Sequence, residues 1–280
     1  MRIRPRLLPA GWYPGTASGC IAEINSFLAD ARPLPAPARI FGGLVPHAGW
    51  YFSGKLAARV FHLASQSAQP DVVCLFGGHL GGSSPPLLVA DDAWETPLGE
   101  VPLATQFYGP LRALMHLAEE RPGDNTIEVN LPFIKHFFPQ AQLLAIRSPQ
   151  SGMALKLGEA VAQVAQDLKK SILCFGSADL THYGPNYGWA PQGFGPQAVT
   201  WVKEVNDKRF VDAVLKMDAR EALNAASQDQ SSCSAGAPAA AIAAAQQLGA
   251  AQAHLVGYYT SYDIMPGDSF VGYAGVVWTG

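Results

Sequence analysis

Six short stretches of this chain are apolar at consecutive positions rather than at alternate ones: residues 40–45, 72–76, 142–146, 172–175, 254–259 and 270–277. A strand with one wet face alternates apolar and polar residues, so unbroken runs rich in Val, Ile and Leu predict strands covered on both faces. Between them, residues 54–63, 107–120, 154–168, 201–215 and 237–248 place apolar residues three and four apart, the spacing of an amphipathic helix. Strand and helix in alternation predict an α/β fold with a central mixed, largely parallel sheet flanked by helices. No repeat, charge block or Ser/Gly-rich linker divides the chain, so residues 1–280 are expected to form a single domain. Residues 185–196 form a Gly/Pro-rich loop with three aromatics, Tyr187, Trp189 and Phe194.

Composition narrows the partners. With 49% hydrophobic and 15% charged residues the chain is unlike a disordered one. A net charge of −3 and the lack of a basic stripe argue against nucleic acid. No apolar run reaches the ~18 residues of a membrane span. The basic start, Met1 to Arg6, is followed by Pro9, Gly11 and Pro14 rather than by the apolar core of a signal peptide, so a cytoplasmic location is expected. Cys74 and Cys174 lie inside apolar runs, Cys20 near the start of a helical stretch, and none of the four cysteines forms a CxxC pair. Those three read as buried hydrophobes. Cys233 differs: it stands among serines just before the alanine-rich helix with Pro238 in its first turn, where a helix N-terminus favours thiolate.

Three of the seven histidines follow predicted strands: His47 after 40–45, His79 after 72–76, and His182 after 172–175. Ligands of open α/β sheets bind beyond the carboxyl ends of the strands, so the three have a route to one point. Asp179, three residues before His182, fits either a cap on its segment or a carboxylate orienting an imidazole or a metal. His62, His116, His136 and His254 lie within or beside helices and strands and read as structural.

At these residues the chain resembles the Memo family. Pro46-His47-Ala48-Gly49, followed by aromatics and Ser53-Gly54, is similar to that family's Pro-His-Ala-Gly signature. The run Asn125 to Phe133, with Glu128, resembles its Glu-His-Ser-x-Glu-x-x-Leu-Pro element. Ser177-Ala178-Asp179-Leu180-Thr181-His182-Tyr183-Gly184 resembles its Ser-Ser-Asp-x-x-His-Tyr/Trp-Gly element. The opening Pro9 to Pro14 and the closing Val271 to Gly275 fit in the same order. Bacterial and archaeal members often carry the label AmmeMemoRadiSam system protein B.

The resemblance implies a fold like that of class III extradiol dioxygenases and a metal held by His47, His79 and Cys233. Asp179 and His182 would line the pocket as proton-moving groups, with Asn125 and Glu128 beside them. A mixed N/S site favours Fe(II) or Cu(I), with Zn(II) as a third candidate, over Mg(II) or Ca(II). The function expected is that of a non-haem metal-dependent oxidoreductase. The alternative is a non-enzymatic redox-metal-binding or docking protein working with radical-SAM and AMMECR-type proteins. Three departures stand out: Asn125 replaces the family's usual histidine, Gly77-Gly78-His79 is looser than Gly-Pro-x-His, and Ser234 follows Cys233 where many members have Gly.

Overall fold

A computed structural model describes residues 1–31 and 39–280. The six apolar runs form its long strands: β1 Ile40–Val45, β2 Val72–Leu80, β3 Gln142–Pro149, β4 Ile172–Ser177, β5 Gln252–Thr260 and β6 Phe270–Thr279. Four of them run parallel in the order β1-β4-β2-β3. On one side β6 joins β1 antiparallel and β5 joins β6. On the other side two short strands, Leu87–Leu88 and Ala118–Glu119, extend the sheet, and His182–Tyr183 pairs with the start of β6. The result is a nine-stranded mixed sheet. A separate small sheet joins Ile3–Arg4, Ala93–Trp94 and Val101–Pro102.

The labelled helices are α1 Ala17–Leu28, α2 Trp50–Ser67, α3 Tyr108–Leu114, α4 Leu131–Phe137, α5 Met153–Asp167, α6 Asp207–Leu215, α7 Ala219–Asp229 and α8 Gly236–Leu248. Alternate strand residues point to two cores. Leu44, Cys74, Phe76, Leu144, Ile146 and Cys174 pack with α5 to α8. Val45, Val73, Leu75, Leu143, Ala145, Leu173 and Phe175 pack with α1, α2 and α4. Both faces of β1 to β4 and β6 are covered, which is why those runs show no polar alternation. Strand β5, paired only with β6, is part-exposed along most of its length, against the expectation from residues 254–259.

Helix α8 is buried from Gly236 to Ala245, and its alanines allow close approach to the sheet and to α5. At that crossing a side chain on Gly158 would lie 2.0 Å from the Ala240 carbonyl oxygen, so only glycine fits.

Two helix predictions need correction. The helix expected over 107–120 covers Tyr108–Leu114 after a short 3₁₀ turn. Met115 is extended, and Ala118–Glu119 joins the sheet as a strand. Leu111, Leu114 and Leu117 keep helical spacing across this break, which is what misleads the sequence pattern. The stretch 201–215 is interrupted by a π-helical turn, Val202–Asn206, before α6. The wider turn changes the helical phase and brings Asn206 and Asp207 inward, 4% and 0% exposed.

No helix among the described residues is long and apolar enough to cross a membrane.

Candidate metal centre

The carboxyl ends of β1, β2 and β4 lie side by side, so the segments leaving them share one cleft. His47 sits two residues past β1 and is buried. His79 does not follow its strand as expected, because β2 continues to Leu80 through a pairing irregularity after Gly77. There His79 adopts a left-handed backbone (φ 61°), a conformation that costs of order 1–2 kcal/mol outside glycine. Arg147 on β3 holds the kink from outside: its Nε donates to the Gly78 carbonyl at 2.9 Å and an Nη to the His79 carbonyl at 3.4 Å. Gly78 must be glycine, since a Cβ there would lie 1.8 Å from Ser234 Cβ. That close approach brings the Cys233 segment against the end of β2.

Three groups meet at this point. The ligand atoms of His47, His79 and Cys233 all lie within 4.8 Å of one another. His47 Nε2 is 3.2 Å from Cys233 Sγ, and the two imidazole rings stand edge to face with centroids 5.1 Å apart. The bonds behind each ring decide which nitrogen faces forward. Ser177 Oγ donates its proton to the Thr126 carbonyl at 2.6 Å, so toward His47 Nδ1, at 3.1 Å, it accepts. His47 therefore carries its proton on Nδ1 and presents a bare Nε2. His79 Nδ1 faces Asp124 Oδ2 at 3.0 Å; the carboxylate accepts, so Nδ1 carries the proton and in the neutral ring Nε2 is bare.

Electrostatics favour a neutral His47 ring. Burial, with a smaller contribution from His79, lowers the pKa of His47 to about 3. Asp124 is pushed up by burial, but bonds from His79 and Thr126 and the charge of Arg147 outweigh it and hold the carboxyl below its ordinary value. Cys233 lies three residues before α8 begins, and the expected pull of the helix N-terminus does not prevail. Burial first, and then the nearby Asp179, raise its pKa far above that of an ordinary thiol. The sulfur therefore keeps its proton in the apo protein, and binding a metal there releases one.

Asp179 and His182 reach the same cleft from the loop after β4. Asp179 Oδ1 accepts from the His47 backbone N–H at 2.7 Å, and Oδ2 lies 3.9 Å from His47 Nε2. Burial raises the Asp179 carboxyl to about 6. His182 pairs Nδ1 with the Leu180 carbonyl at 3.1 Å, which leaves its Nε2 unengaged, and burial lowers its pKa. The cleft of about 410 Å³ is lined by His47, His79, Asn125, Asp179 and His182, with Trp12, Phe52, Tyr187 and Tyr273 among its aromatic walls. The loop 185–196 supplies one wall: Asn186 and Tyr187 line the cleft, and Tyr187 stands edge-on to His182 at 4.8 Å.

Asn125 and Glu128 serve other ends. Asn125 Nδ2 donates to the His47 carbonyl at 3.1 Å, which ties it to the ligand's backbone at the cleft edge. Glu128 does not line the cleft. It is buried and accepts from the backbone N–H groups of Leu7 and Leu8 and from the Tyr13 hydroxyl, at 2.8–3.0 Å. Sequence reasoning also passed over Ser177, Asp124 and Arg147. Asp124 had one signal, its place directly before a helical turn, where it caps Thr126 N–H. That signal speaks of a helix start, not of a histidine 45 positions away.

A His–His–Cys cluster at the carboxyl ends of parallel strands defines a candidate metal-binding α/β protein. The chain belongs to the Memo family: residues 4–277 match the family model described as Memo-like protein. It is 28% identical to a MEMO1 family protein of Thermococcus onnurineus, over 98% of this chain and 99% of that protein. It is 31% identical to one of Methanothermobacter thermautotrophicus, over 84% of this chain and 83% of that protein. The crystal structure of an uncharacterized protein from Escherichia coli K12 shares the fold, with a TM-score of 0.51 at 13% identity, over 80% of this chain and 92% of that one.

Proposed function

We propose that this protein holds one redox-active metal ion, Fe(II) or Cu(I), on His47 Nε2, His79 Nε2 and Cys233 Sγ. On this reading it is a non-haem metal-dependent oxidoreductase acting on a small molecule in the cleft. The observation that supports it best is the pair of outer bonds, Ser177 to His47 and Asp124 to His79, which leave both forward nitrogens bare beside a thiol. Structural zinc sites are commonly closed by four protein ligands, whereas three protein ligands leave room for an exogenous one. The thiolate favours Fe(II), Cu(I) or Zn(II) over hard cations. When bound, the metal supplies Lewis acidity and, for iron or copper, electron transfer.

The chain's own residues supply the rest. The aromatic walls bury an apolar body, while Asp179 and His182 Nε2 are placed to hold or move a proton at its edge. The test loads the protein anaerobically with Fe(II) or Cu(I) and follows oxygen or peroxide consumption over a broad panel of small molecules. Turnover that disappears in His47→Ala and falls in His182→Ala supports the oxidoreductase. Loaded protein that consumes no oxidant with any of them refutes it.

One observation favours a second reading. The residue in the family's usual histidine position, Asn125, is an amide committed to the His47 carbonyl and is no base. A protein that stores or presents the metal to radical-SAM and AMMECR-type partners needs no such base. It would show tight metal binding without turnover and would co-purify with one of those partners.

A further inference from the structure

The outer partners of the two histidines, Ser177 for His47 and Asp124 for His79, meet at Thr126. Thr126 uses its carbonyl to accept from Ser177 Oγ, which fixes His47. Its hydroxyl donates to Asp124 Oδ1, and its backbone N–H donates to that same oxygen at 3.0 Å, while the other Asp124 oxygen receives His79. The Thr126 hydroxyl also accepts from the Gly78 N–H at 3.0 Å, one residue before His79. Thr126 is fully buried and the Asp124 side chain is only 8% exposed, while the His79 ring at the outer end of the arrangement is 36% exposed. Ser177 is tied further, since Asn130 Nδ2 approaches its Oγ at 3.3 Å and the Pro46 carbonyl at 3.1 Å.

We infer that the turn Asp124-Asn125-Thr126 is a shared outer shell that sets the tautomer and aim of both imidazoles at once. Asp124 and Thr126 are thus positioning residues for the metal site. This inference rests on the proposed metal site for its consequence, but its geometry belongs to the apo protein. Hydrogen bonds in buried chains reinforce one another, so loosening one link is felt at both rings. Outer partners of ligating histidines are worth roughly 10- to 100-fold in metal affinity.

The informative substitution is Asp124→Asn. Asparagine caps a helix as well as aspartate does, so the fold is retained. An amide, however, has one acceptor oxygen where the carboxylate has two, so it cannot serve both Thr126 and His79. A second pair separates hydroxyl from shape: Thr126→Ser keeps the hydroxyl links to Asp124 and Gly78, whereas Thr126→Val removes those two and leaves the backbone links to Ser177 and Asp124 in place.

The experiment records imidazole nitrogen signals by NMR on ¹⁵N-histidine-labelled apo protein and titrates the same samples with Co(II), reading its visible absorption. Expected for wild type are proton-bearing Nδ1 and bare Nε2 on both His47 and His79. In Asp124→Asn, His79 becomes a tautomer mixture and Co(II) affinity falls about 10- to 100-fold, with the apo protein still folded but melting lower because the Arg147 ion pair is lost. Thr126→Val behaves likewise and Thr126→Ser stays near wild type. The inference is overturned if Asp124→Asn keeps His79 protonated at Nδ1 and binds Co(II) within twofold of wild type. It is equally overturned if Thr126→Val matches Thr126→Ser in both readouts. Wild type that shows the expected tautomers, lost in Asp124→Asn, yet takes up no Co(II) would sustain the shared shell and refute the metal reading instead.

Discussion

Replacing Glu128 by alanine separates the two roles open to that residue, a pocket group or an anchor. Its carboxylate accepts from three donors, Leu7 N–H, Leu8 N–H and the Tyr13 hydroxyl, at 2.8–3.0 Å, and the residue is 2% exposed. Hydrogen bonds to a charged acceptor contribute about 1.5–3 kcal/mol each. The donors here are only partly buried, and water recovers some of that loss. About 1 kcal/mol per donor is then a fair figure, or ~3 kcal/mol for the truncation. For a chain of this size ~1 kcal/mol moves the melting temperature by about 2–4 °C, so Glu128→Ala is expected to melt roughly 6–12 °C below wild type. Because Glu128 does not line the cleft, metal affinity should stay within about twofold while residues 1–15 become the first site of limited proteolysis. The assay pairs calorimetric melting with a metal titration of the same sample. A variant that melts like wild type but loses metal would refute the anchoring role and return Glu128 to the site.

Other outcomes follow from single contacts. Asp207 is buried, accepts from the Thr181 N–H at 3.0 Å, the Thr181 hydroxyl and the Tyr258 hydroxyl, and has its pKa raised by burial to about 6. The folded state therefore holds a proton that the unfolded chain has lost, so its contribution is full below about pH 4 and is lost as pH rises to about 6. Asp207→Asn should gain on wild type by of order 2 kcal/mol between pH 4 and 7 in denaturant titrations, and a constant difference would contradict this. Gly158→Ala places a Cβ 2.0 Å from the Ala240 carbonyl oxygen and should destabilise by about 1–3 kcal/mol, read as a lower melting temperature with the cleft's metal affinity unchanged. An ion bound only by the folded state adds about 2.7 kcal/mol at 100 times its Kd, so adding it should raise the melting temperature by roughly 5–10 °C in wild type and not in His47→Ala.

The sheet could be read from the sequence because burial on both faces writes itself as unbroken apolar runs, with Leu44 and Val45 serving opposite cores. Helix ends were less legible. Past Leu114 the leucine spacing continues although the chain has turned extended, and the π-helical turn before Asp207 leaves no mark in composition. Helix α7 did carry a signal that went unused: Asp218 caps it by accepting from the Glu221 N–H. The grouping of His47, His79 and Cys233 came from family motifs, since no local pattern ties residues 186 positions apart. Glu128 was misplaced for a related reason. A motif records that a carboxylate is needed but not which way its side chain points. Asp124, Thr126 and Ser177 escaped because their roles are hydrogen bonds to residues distant in the chain, visible only once β2 and β4 lie side by side.

The most direct test of the metal site is elemental analysis of protein purified anaerobically, with wild type beside Cys233→Ser and His79→Ala. The site proposed here requires near-stoichiometric iron or copper in wild type and its loss in both variants. No metal above background in wild type, even after reconstitution with Fe(II), Cu(I) and Zn(II), would contradict it.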